Sequence, residues 1–123
     1  MLNLNSLLIS SEDPDKLRDF YEKVFDKKPD MDDNGYFGWL VGKTFLSFGP
    51  HDKIKGKSRE PSRILFNFET EEVKEEFQRI KDLGAEVVAE PYSMGGDDTW
   101  IATLADPDGN YFQLMTPWEP ENN

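Results

Sequence analysis

Cysteine is absent from the 123-residue chain, and histidine occurs once, as His51. The first absence removes disulfide scaffolds, thiolate zinc sites and cysteine nucleophiles, and it suits a reducing compartment. The second removes any multi-histidine metal site or Ser-His-Asp relay with a histidine to spare. Positive charge is also scarce: 14 Lys and Arg stand against 25 Asp and Glu, a net charge of -11. That balance repels phosphate backbones and anionic lipid, so neither nucleic acid nor membrane is expected as a partner. The longest apolar run, Ile101 to Ala105, contains a Thr and falls far short of the roughly 20 residues of a spanning helix. Met1 to Ser10 carry no basic leader or cleavage site, which reads as a mature cytoplasmic protein.

What is present is material for a core. Aromatic residues make up 13% of the chain, with nine Phe, four Tyr and three Trp, too many for a disordered acidic tail. The length fits one domain able to bury about two-thirds of its unfolded surface.

The chain reads as one unit written twice. Leu2 to Ser10 is strand-like, and Asp13-Pro14 offers a helix cap and a first helical position. Leu17, Phe20, Tyr21, Val24 and Phe25 then recur on one helical face, ending near Lys27-Lys28-Pro29. Tyr36 to Val41 and Lys43 to Gly49 form a hairpin about Gly42. The order returns with a strand at Ser62 to Phe68, a helix at Thr70 to Leu83 and Gly84 at its C-cap. Strands at Ala85 to Ala89, Trp100 to Ala105 and Asn110 to Met115 follow, the last pair joined by Asp106-Pro107-Asp108-Gly109. The modules, about 1–50 and 61–118, are joined by a polar linker, 50–61, holding Lys53, Lys55, Lys57 and Arg59. A module this small does not readily bury its sheet alone, so the two are expected to pack as a single domain.

Asp13, Phe20-Tyr21, Leu83-Gly84-Ala85 and Asp106-Pro107-Asp108-Gly109-Asn110 with Phe112-Gln113-Leu114 together resemble the vicinal oxygen chelate superfamily. That group includes glyoxalase I, extradiol dioxygenases, fosfomycin-modifying transferases and bleomycin-resistance proteins. The resemblance covers about Leu4 to Trp118. It implies an α+β fold of two βαβββ modules forming a shared open cleft, and a homodimer.

Enzymes of the superfamily place His, Gln or Glu ligands at four strand positions around a divalent metal. Carried over one by one, those positions fall on Ser6, on Leu46, on Leu65 or Arg63, and on Gln113. Only the last is a donor, and a weak one, whereas a catalytic divalent metal needs about three protein ligands. No metal and no other cofactor is expected.

Side chains two apart on a strand share a face. Ser6 and Leu8, Leu46 and Phe48, Arg63, Leu65 and Asn67, and Tyr111, Gln113 and Met115 are therefore assigned to the cleft. Leu7, Ile9, Ile64, Phe66, Phe68, Phe112 and Leu114 are assigned to the helices. The cleft set mixes apolar and orienting polar groups, as a small-molecule pocket does, with core or dimer contact as the alternative. Trp39 and Trp100 stack on a planar ligand or belong to the core, and their facing is open at this point. Trp118 flanks the cleft mouth or folds back.

Three further candidates weigh less. Asp30-Met31-Asp32-Asp33-Asn34-Gly35 opens like a calcium loop, but its twelfth position is Val41, so a solvated hairpin turn is favoured. His51 reads as a surface residue. Arg63 grips an anionic substrate or pairs with one of the acids.

The sequence favours a metal-independent protein that binds an apolar or aromatic small molecule, including a cationic one, without turning it over. The alternative is a lyase or isomerase acting on a carbonyl compound through Gln113, Tyr111, Arg63 or a cleft carboxylate. A metal enzyme completed by Asn67, Gln113 and acids of another chain is the third reading.

Overall fold

The computed structural model describes residues 1–93, 95 and 98–117; Trp118 lies outside them. The chain divides into two compact units, residues 1–57 and 58–123, with the division inside the polar linker.

The first unit runs β1 (Ser6–Ser11), α1 (Pro14–Phe25), β2 (Met31–Asp33), β3 (Tyr36–Val41) and β4 (Thr44–Pro50). Its sheet has the order β1-β4-β3-β2, with β1 parallel to β4 and the other pairs antiparallel. Pro14 opens α1 at its first turn as read from the sequence, but Asp13 makes no side-chain cap. Instead the Asp13 N–H donates to Ser11 Oγ at 3.0 Å. The helix stops at Phe25, earlier than the Lys-Lys-Pro signal suggests, because Asp26 turns left-handed (φ 53°) and closes the end on the Glu22 carbonyl.

Leu17, Tyr21 and Val24 of α1 are buried, and they meet the sheet through aromatic packing. Tyr21 stacks on Phe48 with centroids 4.8 Å apart, and Phe25 meets the Trp39 edge at 5.4 Å.

The second unit repeats the plan: β5 (Phe66–Glu69), α2 (Val73–Asp82), β6 (Glu86–Ser93), β7 (Trp100–Ala105) and β8 (Tyr111–Met115). The order is β5-β8-β7-β6, again with the first strand parallel to the last. Two four-stranded mixed sheets, each with one helix, give the expected α+β fold of two βαβββ modules. Val73, Phe77 and Ile80, spaced i, i+4 and i+7, are the buried face of α2. Gly84 takes φ +98° after it, a conformation that favours glycine.

Several boundaries differ from the sequence reading. Strand β5 begins at Phe66, because Pro61–Arg63 form a 3-10 turn in which Arg63 pairs with Glu60. Strand β2 was not anticipated. It pairs Asp33 with Tyr36 across the two-residue loop Asn34-Gly35, both residues at positive φ, the geometry of a tight hairpin. The acidic segment is thus a hairpin, and Asp30 is committed within it. Asp30 Oδ2 accepts the Leu40 N–H at 2.8 Å and pairs with Lys27 Nζ at 2.9 Å. Those two donors, the backbone one first, hold its carboxyl below the usual range.

The turn before β8 is organised by buried Asp106. Its Oδ1 accepts the N–H groups of Asp108 and Asn110, both at 2.9 Å, and its Oδ2 accepts Asn110 Nδ2 at 3.0 Å. The linker is tethered as well: the Gly56 N–H donates to Glu12 Oε1 at 3.0 Å, and Lys55 Nζ lies 3.7 Å from the same carboxylate. The Gly56 bond, followed by Lys55, lowers the Glu12 pKa, partly opposed by desolvation. Exposed His51 accepts the Lys53 N–H at Nδ1, 3.1 Å away. Among the described residues, no helix is long and apolar enough to cross a membrane.

Candidate functional site

Each sheet has one face packed by its own helix and one turned away from it, and in the second unit the latter carries a row of polar side chains. In the second unit, register places Asn67 beside Gln113 and Gln113 beside Thr103, one row across β5, β8 and β7. Gln113 Nε2 donates to Thr103 Oγ1 at 3.1 Å. With the amide nitrogen engaged, the row presents the Gln113 carbonyl oxygen and the Asn67 carboxamide. Tyr111 and Met115 flank Gln113 on the same face. Asn67, Tyr111, Gln113 and Met115 are therefore brought together as the alternation predicts.

Thr103 escaped the sequence reading because Ile101 to Leu104 is nearly apolar throughout and shows no alternation. Only the register against β8 assigns its face. Glu69 also lies on this face, two residues beyond Asn67 and opposite Met115.

The first unit corrects the map. Ser6 and Leu8 do lie on the face away from α1, with Leu8 60% exposed. Leu46, Phe48 and Trp39 do not. Leu46 is 3% exposed, and Phe48 and Trp39 are fully buried beneath α1. The register shows why: parallel pairing aligns helix-facing Leu7 and Ile9 with Leu46 and Phe48, and antiparallel pairing aligns Trp39 with Leu46. Strand β4 has Phe at both parities, Phe45 and Phe48, so hydrophobicity alone left its facing undetermined. The usable signal was the small pair Ser47 and Gly49, which share the face of Phe45.

Three more assignments move. Arg63 lies in the 3-10 turn, exposed and paired with Glu60. Leu65 precedes β5, and Ile64, expected against the helix, is exposed beside it. Trp100 shares the helix-facing parity of Ala102 and Leu104, and Lys74 Nζ of α2 stands 3.6 Å from its ring centroid. A cation on an aromatic face is a stabilising contact in its own right, so Trp100 belongs to the α2 side.

A divalent metal needs several oxygen, nitrogen or sulfur donors converging on one point. Of the carried-over positions, Gln113 offers one amide oxygen and Ser6 only a neutral hydroxyl, Arg63 is cationic, Leu65 has no donor atom, and Leu46 points into the core. Among the described residues no group of three or more His, Cys, Asp or Glu is placed to hold an ion. These residues do not fit a resident metal.

Comparison with known proteins gives a consistent answer. The family described as a glyoxalase-like domain matches residues 6–115. The metallothiol transferase FosB of Bacillus licheniformis is 32% identical over 120 residues, covering 94% of this chain and 76% of that protein. The fosfomycin resistance protein FosX of Listeria monocytogenes superposes with a TM-score of 0.73 at 19% identity, over 96% of this chain and 95% of the other. A glyoxalase/bleomycin resistance protein/dioxygenase family enzyme from Burkholderia phytofirmans does so with 0.74 at 22% identity, over 94% and 98%.

Proposed function

We propose, from the premise that this chain belongs to the glyoxalase-like family of the vicinal oxygen chelate superfamily, that it is a metal-independent small-molecule-binding protein. It acts in the cytoplasm as a homodimer, and its ligand is an apolar or aromatic organic molecule. The observation that carries this reading is the row Asn67, Gln113 and Thr103. Where a divalent metal needs about three converging donors, this face presents two amides, a hydroxyl and the single carboxylate of Glu69 around Tyr111 and Met115. Such a surface orients a ligand by hydrogen bonds and holds it by apolar contact.

Native mass spectrometry of the untagged protein tests the reading. A metal-free dimer carrying an organic adduct is expected. One tightly bound divalent ion per chain would reject the metal-independent reading.

The second reading is a lyase or isomerase, and the observation favouring it is the 32% identity to a transferase over nearly the whole chain. In that reading the second amide hydrogen of Gln113 and the Tyr111 hydroxyl polarise a carbonyl oxygen and Glu69, on the same face, accepts a proton. Turnover of a carbonyl substrate that disappears in Glu69→Gln and Tyr111→Phe, with the fold intact, would establish it in place of simple binding.

A further inference from the structure

The face of the second sheet turned away from α2 offers hydrogen bonds of both polarities and no positive charge. Strands β5, β6, β7 and β8 contain no Lys, Arg or His at either parity. Glu69 stands opposite Met115 and Glu86 opposite Ala105 on this face, so the charge it carries is negative.

Between those acids runs the row Asn67, Gln113 and Thr103. Its two carboxamides differ in how far they are committed. Gln113 Nε2 gives one hydrogen to Thr103 Oγ1, and this bond fixes which end of the amide is nitrogen and leaves the carbonyl oxygen open. The Asn67 side chain is exposed and has no hydrogen-bond partner among the described residues.

A free carboxamide carries an acceptor and a donor on one edge. A carboxylate ligand accepts only, so it would leave both carbonyl oxygens unmet and would face Glu69 as well. An ammonium group donates only and would leave the Asn67 N–H unmet. A ring N–H beside a ring C=O satisfies both groups of Asn67 at once, the same complementarity by which a carboxamide reads the edge of a base. The Gln113 carbonyl, about 4.8 Å away on the neighbouring strand, accepts a second N–H where the ring is a cyclic urea.

We propose that Asn67 and Gln113 recognise the cyclic-amide edge of an uncharged ligand, a lactam or cyclic urea, with Thr103 as a positioning residue for Gln113 and Glu69 rejecting anions. The proposal rests on the small-molecule-binding reading and deepens it by fixing the ligand's hydrogen-bonding pattern and its lack of charge.

Equilibrium dialysis of the full chain, read by absorbance, tests it with three compounds: benzimidazol-2-one, its 1,3-dimethyl derivative and indole-2-carboxylate. The parent urea is expected to bind at one site per chain, and the other two about tenfold or more weakly, because one lacks the N–H donors and the other is an anion. Asn67→Leu and Asn67→Asp should each weaken the parent by about tenfold, and Asn67→Leu should bring its affinity down to that of the dimethyl compound. Asn67 is exposed, so both variants are expected to keep the wild-type melting temperature. Thr103→Val should narrow the preference for the parent several-fold and Thr103→Ser should restore it. Glu69→Gln should admit the carboxylate several-fold better.

Dimethyl or carboxylate binding as tight as the parent overturns the proposal, as does an unchanged parent affinity in Asn67→Leu. An organic adduct on the wild type in native mass spectrometry, with no preference among the three compounds, rejects the cyclic-amide edge while the binding function stands. Absence of any adduct and of binding by all three rejects both.

Discussion

The indole Nε1 of Trp39 donates to the Lys27 carbonyl at 2.9 Å, and this bond ties the exit of α1 to the middle of β3. Lys27 is the second residue after the helix, and its N–H already returns to the Glu22 carbonyl at 3.2 Å. Trp39 is thus a clamp between helix end and sheet, with its ring edge against Phe25. Trp39→Phe removes the donor and leaves the carbonyl without it. The expected loss is about 1–3 kcal/mol in urea unfolding, with ligand binding unchanged in the folded fraction. Loss of binding with full stability would return Trp39 to the ligand surface.

Gln113 is expected to serve binding more than folding. Gln113→Ala gives up one half-buried bond to Thr103, a loss of about 0.5–1.5 kcal/mol, while the ligand seen by native mass spectrometry should be depleted. Dialysis of the wild type against a chelator is expected to change neither its melting temperature nor its ligand content. A melting temperature that drops on chelation and recovers with a divalent ion would contradict the donor chemistry of the site.

Asp106 holds three bonds within its turn and is 5% exposed. Asp106→Ala strands the two backbone N–H groups it caps, so a loss of about 2–4 kcal/mol is expected, larger than for any surface substitution. Equilibrium denaturation measures it. A change below about 0.5 kcal/mol would mean that Pro107 and Gly109 alone set the turn.

The linker tether should be pH-dependent. The Gly56 N–H favours the ionised form of Glu12 and lowers its folded-state pKa. A lowered carboxylate stabilises the folded arrangement above its unfolded value, about 4.3. That contribution is lost as pH falls through the lower folded value. Amide exchange at Gly56, corrected for intrinsic rate, should therefore gain protection as pH rises through the carboxylate range and then level off. Glu12→Gln should flatten that profile. A profile identical in the variant would place the tether elsewhere.

Much of the fold was legible in the sequence because its signals are local. Pro14, the i, i+3, i+4 spacing of Leu17, Tyr21 and Val24, Gly84 and the Asp106 to Gly109 turn each act within a few residues. The repeat of strand, helix and strands followed from them, and so did the family resemblance. Strand β2 was missed because a three-residue strand between acids carries no hydrophobic alternation.

The residues themselves also determine the donor set: with no cysteine and one histidine, Gln113 is the one amide among the superfamily's ligand positions. What only tertiary structure decided was which way the strands face. Strand parity assigns Leu46 and Phe48 to the ligand side and leaves Trp39 open, yet pairing with Leu7 and Ile9 turns Leu46 and Phe48 under α1, and Trp39 follows through its pairing with Leu46. The same register turns Phe45, Tyr36 and two glycines outward. A strand with large apolar residues at both parities has two nearly equivalent faces in isolation. The choice between them comes from the neighbouring strand and the helix that covers one side, through contacts such as Leu7 with Leu46 and Tyr21 with Phe48 that no local pattern encodes.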